Sequence, residues 1–266
     1  LPNVNYIGHK SNEEVKNFWE EEACGTSPEL IKEEDLLSKS WYEEIEDYRY
    51  SVEPFIHSIA KFTTHDGKKV LEIGVGAGTD HMNWAKSNVE LYGVDLTDRA
   101  IETTRKRLEI YGLKSNLQRT NAESLPFEDD FFDIVYSWGV IHHSEDISKI
   151  ISEISRVLKP KGKFLGMIYH RRSLHTLWLW IKNAFLKGRP WRSAKYVIYH
   201  FNESIATKAY TVKETKFLFK DFKECHITPF LTEADFRFFK SFRNFFPEIW
   251  GFYLGIEATK EKASDS

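Results

Sequence analysis

Apolar residues in the middle of the chain form short runs that alternate with longer segments of helical spacing. The short runs are rich in branched and aromatic side chains and have the length of buried strands. They lie at residues 69–73, 89–94, 132–136 and 163–169. Residues 97–111 and 148–158 repeat apolar positions every three or four residues, which predicts helices, and Pro160 and Gly162 end the second one. Strands that alternate with helices predict a parallel sheet with helices on both faces.

The composition is typical of a folded chain with one sizeable core. Its 266 residues are 41% hydrophobic, and 37 basic residues nearly balance 40 acidic ones, which argues against a general nucleic-acid binder. No run is long enough to span a membrane, and the first residues lack the pattern of a signal peptide. Cys24 and Cys225 lie far apart and without metal-ligand spacing, so we expect neither a disulfide framework nor a zinc site. A reducing, cytoplasmic location is the expectation.

The charges are unevenly distributed although their total is nearly balanced. Residues 11–53 contain fourteen acidic side chains and four basic ones, whereas residues 170–202 contain seven basic side chains and no acidic one. The basic segment either pairs with the acidic one, receives an anionic molecule, or contacts a membrane surface. The sequence leaves these three interpretations open.

The most informative stretch is residues 70–80, in which a predicted strand runs into Gly74, Gly76 and Gly78. Glycines between a strand and a helix let the backbone approach a ligand at the carboxyl end of the strand. The third glycine comes one residue earlier than in the dinucleotide fingerprint, and Glu72 lies where a pyrophosphate would not favour a carboxylate. Asp95 ends the next strand, where it accepts both hydroxyls of a ribose, caps the following helix, or does both.

Five sequence blocks in this order resemble the class I S-adenosylmethionine-dependent methyltransferases, in the small-molecule branch that includes quinone-biosynthesis enzymes. The blocks are VLEIGVGAG at 70–78, GVDL at 93–96, NAESLPF at 121–127, FDIVYS at 132–137 and RVLKP at 156–160. The resemblance covers about residues 66–169. One departure is Lys161, where such proteins usually have glycine, at a turn remote from the cofactor.

The resemblance implies an α/β fold with a Rossmann-like, seven-stranded, mostly parallel sheet that has helices on both faces. The expected parts are N-terminal lid helices at 1–62, a cofactor-binding core at 63–170, a helical cap insert at 171–211, closing strands at 212–260 and a tail at 261–266. Residues 222–227 and 250–258 are expected to supply the last two strands, in an antiparallel ending. The implied cofactor is S-adenosylmethionine, with S-adenosylhomocysteine as product. We expect a small-molecule acceptor, no nucleic acid, no integral membrane contact, and a monomer or homodimer.

The resemblance also implies roles for individual residues. The three glycines would line the cofactor, Glu72 would serve its methionine end, and Asp95 would hold its ribose. The remaining residues of the expected cofactor site are Thr79, Asp80, Leu96 against the adenine, Asn121, Ala122 and Glu123 at the adenine edge, Ser137 and Trp138. Trp19 and Tyr50 are candidates to shield the cofactor, unless they only pack in amphipathic helices.

Methyl transfer requires a positioned nucleophile and, for a hydroxyl acceptor, a group that removes a proton. His142 and His143 follow a predicted strand and are the candidate bases, since histidine titrates near neutral pH. The alternative is that they only begin the next loop, and a metal site built on them is not expected. Tentative acceptor contacts are Tyr169, His170, Arg171 and Arg172.

The sequence therefore predicts methyl transfer to oxygen or nitrogen of a small molecule, and the basic insert favours an anionic or amphiphilic one. Two alternatives are a nucleotide-dependent dehydrogenase and a non-catalytic partner subunit that only binds S-adenosylmethionine. The early third glycine and the block at 121–123 speak against the dehydrogenase. Intact cofactor blocks and a dedicated cap speak against the inert subunit.

Overall fold

A computed structural model describes residues 11–21, 26–27, 31–33, 35–202, 207–236, 243 and 245–261. Cys24 lies outside the described residues. Cys225 is a free, half-buried thiol. The helices are α1 Asn12–Glu21, α2 Lys39–Val52, α3 Ile56–Ala60, α4 Thr79–Ala85, α5 Asp98–Ile110, α6 Ile147–Val157, α7 Leu174–Trp180, α8 Ala194–Phe201 and α9 Val212–Leu218. The strands are β1 Lys69–Ile73, β2 Glu90–Asp95, β3 Asn116–Arg119, β4 Phe132–Trp138, β5 Leu158–His170, β6 Ala209–Tyr210, β7 Phe222–Phe230 and β8 Tyr253–Lys260.

The strands form one mixed sheet in the order β3-β2-β1-β4-β5-β8-β7, with the two-residue β6 paired to β5. Neighbours from β3 to β5 pair in parallel, and β8 runs antiparallel to both β5 and β7. The predicted seven-stranded, mostly parallel sheet is confirmed, and β6 adds a short parallel pairing inside the predicted cap. Pro229 is accommodated in β7 because that strand lies at the edge of the sheet, where a missing amide donor is tolerated.

Alternating side chains along the strands divide the core between the two faces of the sheet. On β1, Leu71 and Ile73 belong to the cluster that contains the apolar face of α6, whereas Val70 belongs to a second cluster with α3 and Trp84. Helices therefore cover both faces, as the alternation of strands and helices predicts.

The turn between α6 and the central part of β5 contains Lys161, the one departure from the pattern of similar proteins, and shows why glycine is usual there. The helix ends at Val157, before Pro160, as predicted. Lys161 then adopts a left-handed backbone with φ of 65°. Glycine is usual at such a position because it has no Cβ to clash there.

The acidic N-terminal segment packs against the helices that follow β1 and β2. Tyr42 of α2 is fully buried and donates a hydrogen bond of 2.7 Å to the backbone oxygen of Thr103 in α5. Glu46 forms an ion pair with the buried Arg107, also in α5. These contacts place α2 beside the carboxyl ends of β1 and β2. Among the described residues, no helix is long and apolar enough to cross a bilayer.

Candidate active site

The turn after β1 contains three glycines in left-handed conformations. Gly74, Gly76 and Gly78 have φ of 83°, 53° and 73°, values that side chains with a Cβ rarely adopt. At Gly76, no described atom lies within 4 Å of the position that a Cβ would take. At Gly76 the backbone of the turn therefore borders open space, as required where a ligand approaches closely.

Asp95 lies beside this turn at the end of β2. Its Oδ2 accepts a hydrogen bond of 3.2 Å from the amide of Gly76, and its Oδ1 accepts from the amide and the hydroxyl of Thr97 at 3.0 and 2.9 Å. Burial raises the pKa of Asp95, although the hydrogen bonds from Thr97 and Gly76 act in the opposite direction. A carboxylate has about four acceptor positions, so one remains for a further donor without rearrangement.

The turn after β4 forms the neighbouring wall. The register of β1 with β4 aligns Glu72 with Tyr136, so Gly74 lies level with Trp138. A Cβ on Gly74 would lie 2.2 Å from Cγ2 of Val140, which shows how tightly this turn packs under the glycine loop. The Ser137 hydroxyl is buried and donates to the backbone oxygen of Ile73 at 3.0 Å, so it joins the two strands.

The segment after β3 also lies at the carboxyl ends of the strands, beside the glycine turn and Asp95. Asn121 accepts a hydrogen bond from the amide of Glu123 at 2.9 Å, and Ala122 packs against the main core cluster. Glu123 accepts from the side-chain amide of Asn12 at 2.8 Å and from the amide of Asp146 at 3.0 Å. Helix α1 is thus fastened to the adenine edge that the sequence predicts.

Glu72 is buried and contacts His81, a residue that the sequence reasoning missed. The two side chains are 2.9 Å apart, and the other ring nitrogen of His81 lies 2.8 Å from the hydroxyl of Ser115. That hydroxyl donates its hydrogen to the backbone oxygen of Leu91, so it accepts from His81. Burial lowers the pKa of His81 to about 3 and raises that of Glu72, which favours a neutral pair in which the Glu72 carboxyl donates to the imidazole.

Asp80 is the centre of a buried polar network. Arg49 of α2 donates two hydrogen bonds to it, at 3.2 and 2.7 Å, and the hydroxyls of Tyr50 and Tyr136 donate at 2.9 and 2.8 Å. Burial by itself would raise the pKa of Asp80, but the charge and hydrogen bonds of Arg49 and the two hydroxyls outweigh it and lower that pKa. Asp80 therefore ties the N-terminal segment to the glycine turn.

The two residues nearest to Asp80 in the expected site also have partners. Thr79 is buried, and its hydroxyl accepts a hydrogen bond of 3.2 Å from Arg107. The hydroxyl of Tyr50, which donates to Asp80, also accepts a hydrogen bond of 2.6 Å from the side-chain amide of Asn83. In the described structure these side chains fasten α2, α4 and α5 to one another beside the glycine loop.

Trp19 of α1 lies over the end of β2. It packs with Leu96, Val15 and Tyr199 in one small cluster, so the predicted lid and the predicted cap meet above Leu96. Its ring also makes an edge contact with His143, at a centroid separation of 5.8 Å. Both Trp19 and Leu96 are half-buried, and they border the same edge as Asp95.

The paired histidines lie in a 3₁₀ turn at Ile141–His143 and are buried. His142 is fully buried between the rings of His143 and Tyr169, at centroid separations of 4.3 and 4.2 Å. Within the described part of the chain, neither ring nitrogen of His142 has a hydrogen-bond partner. Burial lowers the pKa of His142 well below its usual value, and the neighbouring His143 and Lys208 add to this. His142 is therefore neutral at neutral pH.

A carboxylate that the sequence reasoning missed, Glu53, contacts the indole of Trp138. Glu53, at the end of α2, accepts hydrogen bonds from the indole of Trp138 at 2.7 Å and from the hydroxyl of Tyr253 at 2.9 Å. Burial raises the pKa of Glu53, while Arg49 and these two donors lower it less strongly. Its surroundings are aromatic, and nearby Phe55 stacks on Phe230 with ring centroids 4.7 Å apart. No motif at 53 signals this role, because the contact depends on strands that lie far away in sequence.

The tentative acceptor residues after β5 have different environments. His170 is buried and lies 3.0 Å from the backbone oxygen of Gly251. Arg171 forms a two-oxygen ion pair with Glu214 of α9, at 2.6 and 2.5 Å. Arg172 is exposed. Tyr169 stacks on Phe252 and Tyr253 and thus extends the aromatic wall beside Glu53.

Two further observations limit where ligands are expected. Among the described residues, no group of three or more side chains is arranged to hold a metal ion. A groove of about 710 Å³ lies between α5 and β3, but residues at the start of β2 and β3 line it. It lies away from the carboxyl ends of the strands, where the glycine turn and Asp95 meet.

Comparison with known proteins shows what the core is similar to. Residues 71–166 match the family model described as methyltransferase domain. The chain is 39% identical over 98 residues to the uncharacterized methyltransferase YcgJ of Bacillus subtilis, which is 36% of this chain and 39% of that protein. It is 32% identical over 163 residues to the ubiquinone/menaquinone biosynthesis C-methyltransferase UbiE of Rickettsia massiliae, with 58% of each chain covered. The chain spans about two fifths of the length of the first curated relatives it matches.

Solved structures show that the fold extends beyond the matched core. The crystal structure of the cyclase SpnF is similar, with a TM-score of 0.61 at 13% identity over 97% of this chain and 99% of that one. A likeness at such low identity concerns the fold, which different reactions share. The sequence match is more specific: residues 71–166 are similar to the methyltransferase domain family, which supports the predicted resemblance of the core to the class I S-adenosylmethionine-dependent methyltransferases.

Proposed function

We propose that the chain binds S-adenosylmethionine at this edge of the sheet and transfers its methyl group to oxygen or nitrogen of a small molecule. The observation that carries this proposal is the meeting of Gly76 and Asp95, an open backbone and a carboxylate joined by one hydrogen bond of 3.2 Å. When bound, the cofactor supplies an electrophilic methyl group on a sulfonium. A ribonucleoside fits this pair because the backbone can approach it closely while the carboxylate accepts from a ribose hydroxyl.

The residues around this pair support the orientation of the cofactor. Leu96 and Trp19 offer an apolar enclosure for the adenine, next to the segment 121–123. Gly74, the first residue after β1, lies level with Trp138 at the end of the adjacent strand β4, so the methionine end would extend along the turn after β4. In this arrangement the acceptor enters from the side of Trp138, where Glu53 and its aromatic neighbours lie.

We assign proton removal from the acceptor to Glu53, in preference to His142. The Glu53 carboxylate is half-buried, and its raised pKa makes it a stronger base than an exposed glutamate. Its two hydrogen bonds, from Trp138 and Tyr253, leave acceptor positions for a hydroxyl or an ammonium group. His142 is enclosed by rings, and its lowered pKa makes it a weaker base.

Of the two arginines after β5, Arg172 is the proposed contact for an anionic acceptor. Arg171 is committed to Glu214. Arg172 is exposed and follows the carboxyl end of β5 by two residues. Replacing Arg172 with alanine should therefore raise the acceptor KM and leave cofactor affinity unchanged, once an acceptor is identified.

Cofactor binding separates the proposed function from its alternatives. Calorimetry should show binding of S-adenosylhomocysteine and no binding of NAD, because the glycine spacing does not match a dinucleotide. Binding of NAD instead would support a dehydrogenase. Release of S-adenosylhomocysteine from S-adenosylmethionine in the presence of fractionated metabolites would then establish turnover, and its absence with every fraction would favour the inert subunit.

The role of Glu53 has its own test. Glu53→Gln preserves the shape of the side chain but removes the base, and it should lower kcat by about 10²–10⁴-fold for a hydroxyl acceptor. The affinity for S-adenosylhomocysteine should not change, since Glu53 lies on the acceptor side. Glu257→Gln is the matched control, because Glu257 pairs with Lys61 on the surface at 3.2 Å. Normal kcat in a folded Glu53→Gln protein would contradict the assignment and return attention to His142 and His143.

A further inference from the structure

The predicted cap insert contains a turn at residues 185–191, here called the tip, in which every residue is exposed. The tip contains three large apolar side chains, and Trp191 is 77% exposed, Leu186 67% and Phe185 58%. Single exposed apolar residues are common on protein surfaces, but three in a run of seven form a concentrated patch. The patch is therefore a candidate contact surface.

Hydrogen bonds at the base of the tip hold it in this shape. The amides of Leu186 and Arg189 donate to the backbone oxygens of Ile181 and Ala184, at 2.9 and 2.8 Å. The indole of Trp180 donates to the backbone oxygen of Arg192 at 2.7 Å, and Ala184 is fully buried beneath the turn. The apolar side chains of the tip are thus presented outward by an ordered base.

The charges of the segment 171–202, which contains the tip, have one sign. No acidic residue occurs between residues 171 and 202. Four basic residues of this segment are exposed and form no ion pair with any described residue: Arg172, Lys182, Lys187 and Arg189. These four residues therefore take no part, among the described residues, in the clamp that the sequence allowed between this segment and the acidic residues at 11–53.

Apolar and basic side chains on one tip match the two layers of an anionic bilayer surface. Headgroup phosphates lie outside and attract lysine and arginine, and the acyl boundary beneath accepts tryptophan, phenylalanine and leucine. An acidic protein surface would satisfy the charges but would leave the highly exposed Trp191 and Leu186 against water or polar groups. The combination therefore favours a lipid surface.

We propose that the tip at 185–191 docks the protein on anionic lipid bilayers. Phe185, Leu186 and Trp191 insert into the interface, while Lys187 and Arg189 contact headgroup phosphates. The tip connects through α7 to the end of β5, the same edge of the sheet that carries the acceptor side. If the proposed function holds, docking brings that side close to amphiphilic molecules in the bilayer. Vesicle binding itself does not depend on methyl transfer.

Vesicle sedimentation tests this docking with the whole chain. The protein should sediment with vesicles of phosphatidylcholine and phosphatidylglycerol, much less with phosphatidylcholine alone, and less as salt is raised. Each of Lys187→Gln and Arg189→Gln should weaken binding roughly fivefold. Trp191→Ser should weaken it roughly tenfold or more, because a large apolar side chain no longer enters the interface. Lys106→Gln and Phe217→Ser, two exposed positions outside the insert, are the matched controls.

A second measurement reports on Trp191 directly. Lipids with brominated chains should quench part of the tryptophan fluorescence of the wild type, and Trp191→Phe should lose that quenching while it still sediments with anionic vesicles. Equal binding to neutral vesicles, or unchanged binding in Trp191→Ser, would overturn the proposal. Self-association that Trp191→Ser abolishes, without vesicle binding, would instead identify the tip as a contact between copies of the chain. Affinity for S-adenosylhomocysteine in the same variants keeps this outcome separate from that of the proposed function.

Discussion

Replacing Asp95 with alanine tests the proposed cofactor site most directly. In the structure, Asp95 already accepts hydrogen bonds from Gly76 and from the amide and hydroxyl of Thr97, which leaves one of about four acceptor positions. A ribose hydroxyl at that position would form one charge-assisted hydrogen bond, worth about 1.5–3 kcal/mol. The dissociation constant for S-adenosylhomocysteine should therefore rise roughly 10- to 150-fold in the variant. A second bond would require one of the present donors to move.

Isothermal titration calorimetry measures this effect, and two comparisons make it specific. The alanine variant also loses the hydrogen bonds to Thr97, so its folding is checked first by thermal unfolding. Asp98→Ala is the matched control, because Asp98 is an exposed carboxylate three residues later, at the start of α5, that pairs with Arg119 at 3.0 Å. Its affinity should equal that of the wild type. Unchanged affinity in a folded Asp95→Ala protein would refute the assignment of the ribose to this residue.

The pH dependence of binding offers a further check on Asp95. Burial raises its pKa in the free protein, whereas hydroxyl donors from a ribose favour the charged carboxylate and lower that pKa on binding. Binding therefore releases a proton when the pH is near or below the raised pKa. The affinity of the wild type should fall as the pH falls through that range and stay flat above it. Asp95→Ala should lack the slope, and a variant that retained it would point to another titrating group.

Three other predictions concern the framework around the site. Arg49→Ala should destabilise the protein by about 3–5 kcal/mol near neutral pH, since it leaves the buried Asp80 carboxylate without its cation. Because the pKa of Asp80 is lowered, the stability it contributes exists above its usual pKa of 3.8 and is lost as the pH falls further, so urea unfolding curves of variant and wild type should converge in acid. Gly74→Ala should cost about 2–5 kcal/mol in the same assay, because its Cβ would meet Val140 at 2.2 Å in a left-handed backbone, and a cost below 1 kcal/mol would contradict that packing. His142→Leu should change the free energy of unfolding by less than about 1 kcal/mol, because no described residue hydrogen-bonds its ring, and a larger loss would reveal a partner.

The sheet was largely predictable because its central strands are buried on both faces. Such strands appear as short, mostly apolar runs, and β1, β2, β4 and β5 were found where these runs predict them. The edge strand β3 was missed, because residues 116–119 are mostly exposed and carry polar side chains. The pairing of β6 with β5 was also missed, since two residues hold no periodicity to detect.

The candidate cofactor site was predictable to the extent that it depends on local backbone chemistry. Gly74, Gly76 and Gly78 follow a strand and permit the left-handed conformations found there, and a strand that ends in Asp95 presents a carboxylate next to this turn. Both features follow from residue type and position within a strand. The sequence by itself thus predicted the methyltransferase resemblance of the core, the order of its central elements and the meeting of the glycine turn with Asp95.

Only the tertiary structure decided which polar side chains have partners. Glu53 contacts Trp138 and Tyr253 across 85 and 200 residues of sequence, a distance at which no spacing rule applies. The burial of His142 and the ion pair between Arg171 and Glu214 likewise depend on the residues that pack around them. Burial and hydrogen bonding set the charge of a titratable group, and both are properties of the folded neighbourhood that the residue type alone does not carry.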